Sequence, residues 1–227
     1  MNQFLRRVLR RGAMVRTLPS LEAYQKWAGN YPPHAHNALM RAEENAMLDL
    51  MPPLQGKYVL DLASGTGRYT EIARERGAAN VIALDNSVPM LTGNRALCRA
   101  AAAMDSVPLA SSSIDVVLCG LAVGHVPSLD GMMCEIARVL VPTGAALISD
   151  VHPVLFKGGA KRTFRVQGRV YAVEHYIHEY SAFHTACERA GLRIQSVREP
   201  HLLDADQPPQ GERMLAPVAI VYLLHKL

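Results

Sequence analysis

Residues Tyr58 to Tyr69 read YVLDLASGTGRY: an aliphatic run that meets an acid, Asp61, then a turn built on Gly65 and Gly67, then residues able to begin a helix. A strand that breaks at glycines into a helix leaves backbone N–H groups unpaired at the helix start, where the negative or polar end of a ligand can be held. Taken by itself the stretch suits a phosphate, another polar ligand end, or a tight strand-to-helix turn that binds nothing. Its surroundings decide among these.

A chain of 227 residues is long enough for one α/β domain with a full core and too short for two of ordinary size. Apolar residues at 49% and charged residues at 19% are globular usage and exclude general disorder. No apolar run reaches the roughly 18 residues of a membrane span. The net charge of +4 arises from a leading cluster, Arg6, Arg7, Arg10, Arg11 and Arg16, ahead of the first acid, Glu22. Without it the remainder is near neutral, so the charge does not call for nucleic acid. The cluster reads as a frayed basic helix or as sequence ahead of a later start at Met14; a transit peptide or membrane-surface helix would share its composition. Cys98, Cys119, Cys134 and Cys187 form no C-x-x-C pair and read as buried, reduced thiols of a cytoplasmic protein.

Helical patterns run from Ser20 to Trp27 and from Leu39 to Met51, with the proline-bearing YPPHAHN, Tyr31 to Asn37, between them. Strands are then expected at 57–62, 80–85, 98–104, 114–119 and 144–150, with helices at 67–76, 88–96 and 128–140 in the gaps. That alternation means a parallel sheet with helices on both faces. TFRVQGRVYAVEHY reads as a hairpin turning at Gln167 and Gly168, with Phe164 and Val166 facing Val170 and Ala172. A helix at 179–190, the strand LRIQSVREP, the polar loop 201–215 and the strand PVAIVYLLHK complete the chain. The expected organisation is a basic segment and helical cap over 1–50, then a catalytic domain over 51–227 with a hairpin lid at about 152–178.

Four features fall at carboxyl ends of the expected strands, where open α/β sheets bind ligands. Asp61-x-x-x-Gly65-x-Gly67 is the first. Asp85, about 20 residues on, suits two ribose hydroxyls. Met104-Asp105-Ser106 places an acid beside a backbone N–H that could read an adenine edge, and Cys119-Gly120-Leu121 is a small apolar bend. A dinucleotide fold wants a third small residue at position 70, where Thr70 stands. Asp61 instead suits a ligand with an ammonium or a water shell.

At this point the chain resembles the class I S-adenosylmethionine-dependent methyltransferases, the branch that holds the ubiquinone/menaquinone biosynthesis and malonyl-acyl-carrier-protein methyltransferases. VLDLASGTGRY is similar to the first motif, IALDNSVPML to the second, AMDSVPLASSSIDVVLCG to the third and fourth. RVLVPTGAALISD resembles the entry to the fifth strand, with Pro142-Thr143-Gly144 where Pro-Gly-Gly is common. The resemblance covers roughly 55–150. It implies a Rossmann-like seven-stranded sheet of order 3-2-1-4-5-7-6 with strand 7 antiparallel, and S-adenosylmethionine as cofactor. It implies cofactor contacts from Tyr31, Asp61, Ala63, Ser64, Gly65, Gly67, Asp85, Asn86, Met90, Met104, Asp105, Ser106, Gly120 and Leu121. YQKWAGNYPPHAHN is similar to the cap that closes over the cofactor, with Tyr31 near the methionine end.

Methyl transfer needs alignment and a dry crevice, plus a general base when the nucleophile must shed a proton. His125 after the fourth strand, His152 directly after the fifth, and His175 on a hairpin face with Tyr171 and Val173 are the candidates. His34 and His36 read as loop residues at the mouth. Histidine spacing matches no metal motif. Arg162, Arg165 and Arg169 on the insertion read as solvated charges or as attraction for an acidic substrate. The expected activity is methylation of a small organic molecule, on oxygen or carbon, by a monomer or homodimer. A carrier-bound acyl group, RNA or protein as acceptor, or a non-catalytic binding module, are the alternatives.

Overall fold

The computed structural model of the protein describes residues 15–202 and 216–227. Arg6, Arg7, Arg10, Arg11 and most of the polar loop 201–215 lie outside the described residues. The strands are β1 (Thr17–Leu18), β2 (Tyr58–Leu62), β3 (Asn80–Asp85), β4 (Cys98–Ala101), β5 (Ile114–Cys119), β6 (Leu140–Val151), β7 (Thr163–Val166), β8 (Arg169–Val173), β9 (Leu192–Arg198) and β10 (Ala219–Lys226). The helices are α1 (Ser20–Trp27), α2 (Ala38–Leu50), α3 (Arg68–Glu75), α4 (Val88–Thr92), α5 (Asp130–Val139), α6 (Pro153–Lys157) and α7 (Tyr180–Arg189).

Seven strands form one sheet in the order β4-β3-β2-β5-β6-β10-β9. The first five are parallel, and β10 runs antiparallel to both β6 and β9. Counted along the sheet's own strands, this is 3-2-1-4-5-7-6, as expected. Side-chain alternation serves two cores. Leu60, Val117, Ala146 and Ile148 face α5 and α7, while Val59, Val116, Leu118 and Leu147 face α2 and α3. A strand buried on both sides must be apolar nearly throughout, as YVLDL and IDVVLC are. The expected stripe Leu129, Met132, Met133, Ile136 and Leu140 is buried throughout.

Several boundaries move for local reasons. Helix α4 stops at Thr92, because Asn94 turns inward to donate to Ser64 and Thr70. Strand β6 begins early, at Leu140, and takes a left-handed residue at Thr143 (φ 65°) on its way into the sheet. Cys98 and Cys134 are exposed, correcting the expectation for buried thiols. Cys98 opens β4, an edge strand whose side chains are all exposed, and Cys134 lies on the outer side of α5. The hairpin register is one residue from that expected: Phe164 opposes Tyr171 and Val166 opposes Arg169. A two-residue turn with both φ values positive, Gln167 at 47° and Gly168 at 76°, forces residues 166 and 169 to pair.

A second sheet, β1-β8-β7, joins the expected hairpin to a strand the sequence reading did not anticipate, β1. Thr17 and Leu18 pair in parallel with Ala172 and Val173. Leu18, Ala23, Phe164 and Val173 form its core, with Trp27 stacked on Phe164 at 4.9 Å. The N-terminal cap and the insertion thus fold as one structure above the carboxyl ends of the parallel strands.

Candidate active site

Strand β2 ends at Leu62, and Ala63 follows in the left-handed region (φ 56°). Gly65 (φ 54°) and Gly67 (φ 96°) complete the turn, and Gly67 caps α3. A Cβ on Gly67 would lie 2.9 Å from the Asn94 side chain, so this glycine answers both to backbone angle and to packing. On β5 the matching bend is Leu121 (φ 57°), whose N–H donates to the Ser149 carbonyl at 3.0 Å. Two non-glycine residues held left-handed at neighbouring strand ends store strain of the kind that collects at functional sites.

Asp85 ends β3 and is nine-tenths buried. Its carboxylate accepts from Gly65 N–H at 2.8 Å and from Ser87 N–H at 2.7 Å, tying the glycine turn to its own strand. Each oxygen retains a second lone pair for a ligand hydroxyl. Burial raises its pKa, opposed by those two N–H donors. Asp61 is buried beneath the turn, accepts the Thr70 hydroxyl at 2.6 Å, and is pushed up to about 7 by burial. Thr70 therefore holds Asp61 rather than disturbing helix packing.

These strand ends bound a crevice of about 1110 Å³ including its open mouth. Of the residues expected to hold a cofactor, Tyr31, Asp61, Ala63, Ser64, Gly65, Asp85, Asn86, Met90, Met104, Asp105, Gly120 and Leu121 line it. Gly67 lies behind, at the helix cap. Ser106 is outside, donating its N–H to the Ala103 carbonyl at 3.2 Å. Gly120 is forced small: a Cβ there would be 2.2 Å from the Tyr69 ring.

The candidate bases separate. His125, in the turn Val123–His125, lines the crevice, with Nε2 3.0 Å from the Tyr24 hydroxyl and 3.4 Å from Arg162 Nη1. Burial and then the Arg162 charge drive its pKa well below the usual histidine value. His152 does not open onto the crevice. Its Nδ1 accepts the Val154 N–H to cap α6, and its Nε2 meets the Tyr180 hydroxyl at 2.7 Å and Glu199 at 3.3 Å. The chain turns away at Pro153, carrying the ring toward β9. His175 lies past the end of β8, not on the hairpin face, and stacks on Phe156 at 3.9 Å. Its Nε2 is 3.7 Å from Asp150. Burial lowers its pKa to about 3. His34 stays exposed at the mouth, whereas His36 is partly buried and reaches a second chamber. Among the described residues no group of three His, Cys, Asp or Glu is placed to hold a metal.

Two participants, Glu43 and Tyr24, escaped the sequence reading, and a third, Arg162, was named there but not told apart from Arg165 and Arg169. Glu43 sits in the apolar stripe Met40–Met47–Leu50 of α2, fully buried. It accepts from Arg68 at 2.7 Å and from the Tyr69 hydroxyl at 2.7 Å, bolting the cap helix to the motif helix. An acid inside an apolar helical stripe was the available signal. Tyr24 and Arg162 enter the crevice from the cap and the insertion, which the β1–β8 pairing joins.

Residues 60–148 match a family described as a methyltransferase domain. A Haemophilus influenzae protein is 28% identical over 221 residues, 82% of this chain and 85% of that one. A malonyl-acyl-carrier-protein O-methyltransferase of Pectobacterium atrosepticum is 35% identical over 127 residues, 54% of this chain and 49% of that enzyme, so the chain spans about half the length of that relative. An S-adenosylmethionine-dependent methyltransferase from Mesorhizobium loti shares the fold, with a TM-score of 0.67 over 82% of this chain and 98% of that one at 23% identity. The matched span, a methyltransferase domain, is the one that builds the crevice, and the fold is one shared with S-adenosylmethionine-dependent methyltransferases.

Proposed function

We propose that the protein transfers a methyl group from S-adenosylmethionine to a small organic molecule, on oxygen or carbon, by in-line displacement. The observation that carries this reading is a crevice roofed by its own cap: Tyr24 and Tyr31 face the strand-end acids across it. It adjoins a chamber of about 680 Å³, its open mouth included, that shares Tyr31, Leu121 and Arg162 as walls. A space of that size fits a small acceptor better than a folded macromolecule.

The residues present fit the cofactor. Asp85 offers a buried carboxylate with free lone pairs, suited to paired ribose hydroxyls. Asp61 lies at the methionine end, where a ligand ammonium would favour its ionised form. Met104 and Asp105 flank the adenine end, and Gly120 keeps the floor flat. S-adenosylmethionine, when bound, supplies a methyl group on a positively charged sulfonium.

The chain's own contribution is alignment and exclusion of water. Charge disperses on the way to the transition state, so a dry, ordered crevice counts for more than strong electrostatic machinery. His125 is the candidate proton acceptor that lines the crevice. A neutral imidazole beside a permanent cation is a weak base, so its role strengthens once the acceptor brings negative charge to the site. Calorimetry with S-adenosylmethionine and S-adenosylhomocysteine tests the reading: micromolar binding is expected, and no binding of either sinks it. His125→Ala should lower turnover while leaving cofactor affinity nearly unchanged.

A further inference from the structure

Two arginines border the crevice, and their environments differ. Arg68 is discharged by acids, with Glu43 at 2.7 Å and Glu44 at 3.1 Å. Arg162, just ahead of β7, is not. Its Nη1 donates to the Leu121 carbonyl at 3.0 Å and approaches His125 at 3.4 Å. Its Nη2 is 3.4 Å from the Tyr31 hydroxyl, and its Cζ is 5.5 Å from the Tyr24 ring centroid. Among the described residues no carboxylate forms an ion pair with it. The acid whose charge acts on it is Asp150, which burial pushes up to about 7 and so leaves partly protonated near neutral pH. A desolvated cation without a paired acid is costly to keep. Natural chains keep such a group where a ligand supplies the missing charge.

The adjoining chamber says what kind of ligand. Its walls are Trp27, Tyr31, Leu39, Met40, Val151 and Phe156, with Arg162 at the boundary with the crevice. Among the described residues no acid lines it, and the pKa of His36 is lowered by burial, so Arg162 is the one full positive charge those residues give it. A phosphate carrying nearly two charges would need more than one cation. A carboxylate matches a single planar guanidinium.

Building on the methyltransferase reading, we propose that Arg162 binds the carboxylate of the methyl acceptor, whose flat apolar body lies against Trp27, Tyr31 and Phe156. Arg162 is then the residue that selects anionic acceptors and orients them toward the strand ends. The held anion also offsets the charge beside His125. Its contact to Leu121 keeps the fork aimed at the boundary between the two spaces.

Trp27 is the chain's single tryptophan and lines the chamber, so its fluorescence reports occupancy without any turnover. Phenylacetate is the probe and phenylacetamide its uncharged control, each titrated in the presence of saturating S-adenosylhomocysteine. A charge-assisted hydrogen bond implies that phenylacetate binds about tenfold or more tighter than the amide. Arg162→Gln should abolish that preference by weakening phenylacetate alone, with calorimetric affinity for S-adenosylhomocysteine retained. Arg162→Lys, a point charge without the fork, should fall between. Equal affinity for the two probes, no saturable response to phenylacetate, or a preference that survives Arg162→Gln would each overturn the assignment. If Arg162→Gln does not fold, the unaltered protein's preference and Arg162→Lys still decide. Failure of the unaltered protein to bind S-adenosylhomocysteine would count against the methyltransferase reading instead, and the probe comparison made without it would still judge Arg162.

Discussion

The parallel half of the sheet and the roof above it are built on opposite principles. In the floor, each site residue is placed by its immediate neighbours in sequence. Asp61 and the glycine turn, Asp85 and Ser87, and Gly120 and Leu121 all lie within a few residues of the strand end that presents them. In the roof, placement depends on pairing across the whole chain: Ala172 N–H donates to the Arg16 carbonyl and Glu174 N–H to the Leu18 carbonyl. On the proposed function, the floor fits the nucleoside-type donor and the roof fits the methyl acceptor. Donor recognition can be local and inherited with a motif; acceptor recognition is assembled from distant pieces.

The largest expected effect breaks the roof. Leu18 is fully buried in the core of the small sheet, so Leu18→Ala should cost about 2–5 kcal/mol. Urea unfolding followed through Trp27, which stacks on Phe164 in that core, would register it. A loss well under 1 kcal/mol would mean the cap is not held by β1. The next effect breaks the floor. Asp85→Ala removes a carboxylate placed for two ribose hydroxyls and should weaken S-adenosylhomocysteine binding about tenfold or more. Chamber binding of phenylacetate without cofactor should be little changed. Unchanged cofactor affinity would detach Asp85 from the nucleoside.

How much was legible follows the same division. The seven-stranded order and the strand-end acids could be read because continuous apolar runs, acids and glycines carry their meaning within short windows. His152 was misplaced because DVHP shows where a strand ends but not that Pro153 turns the ring away from the crevice. His175 was misplaced because a two-residue strand, Thr17–Leu18, has too little pattern to reveal the sheet whose end it follows. Arg162 looked like Arg165 and Arg169 in sequence. Arg165 is exposed at the hairpin turn, donating to the Gly168 carbonyl, whereas Arg162 is turned inward ahead of β7. No local rule separates residues three apart whose fates depend on a sheet completed by the distant strand Thr17–Leu18.

The smallest expected effect is a pH dependence that tells floor from roof. Asp61 and Asp150 are each pushed up to about 7 by burial, from 3.8. A folded-state value above the unfolded one means the folded chain holds protons that the unfolded chain has released between about pH 4 and 7. Both acids therefore favour the folded state at the acid end of that window, and their contribution falls as pH rises through it, levelling above about 7. Cofactor binding should run the other way. A ligand ammonium beside Asp61 favours the carboxylate, so S-adenosylhomocysteine affinity should climb with pH toward about 7 and then level, by at most about tenfold per pH unit. Asp61→Asn should flatten that climb. Asp150→Asn, at the end of β6 where the strand meets His175 of the insertion, should leave it intact. A climb that survives Asp61→Asn and vanishes with Asp150→Asn would reverse the assignment, putting the ligand's charged end under the roof and not at the glycine turn.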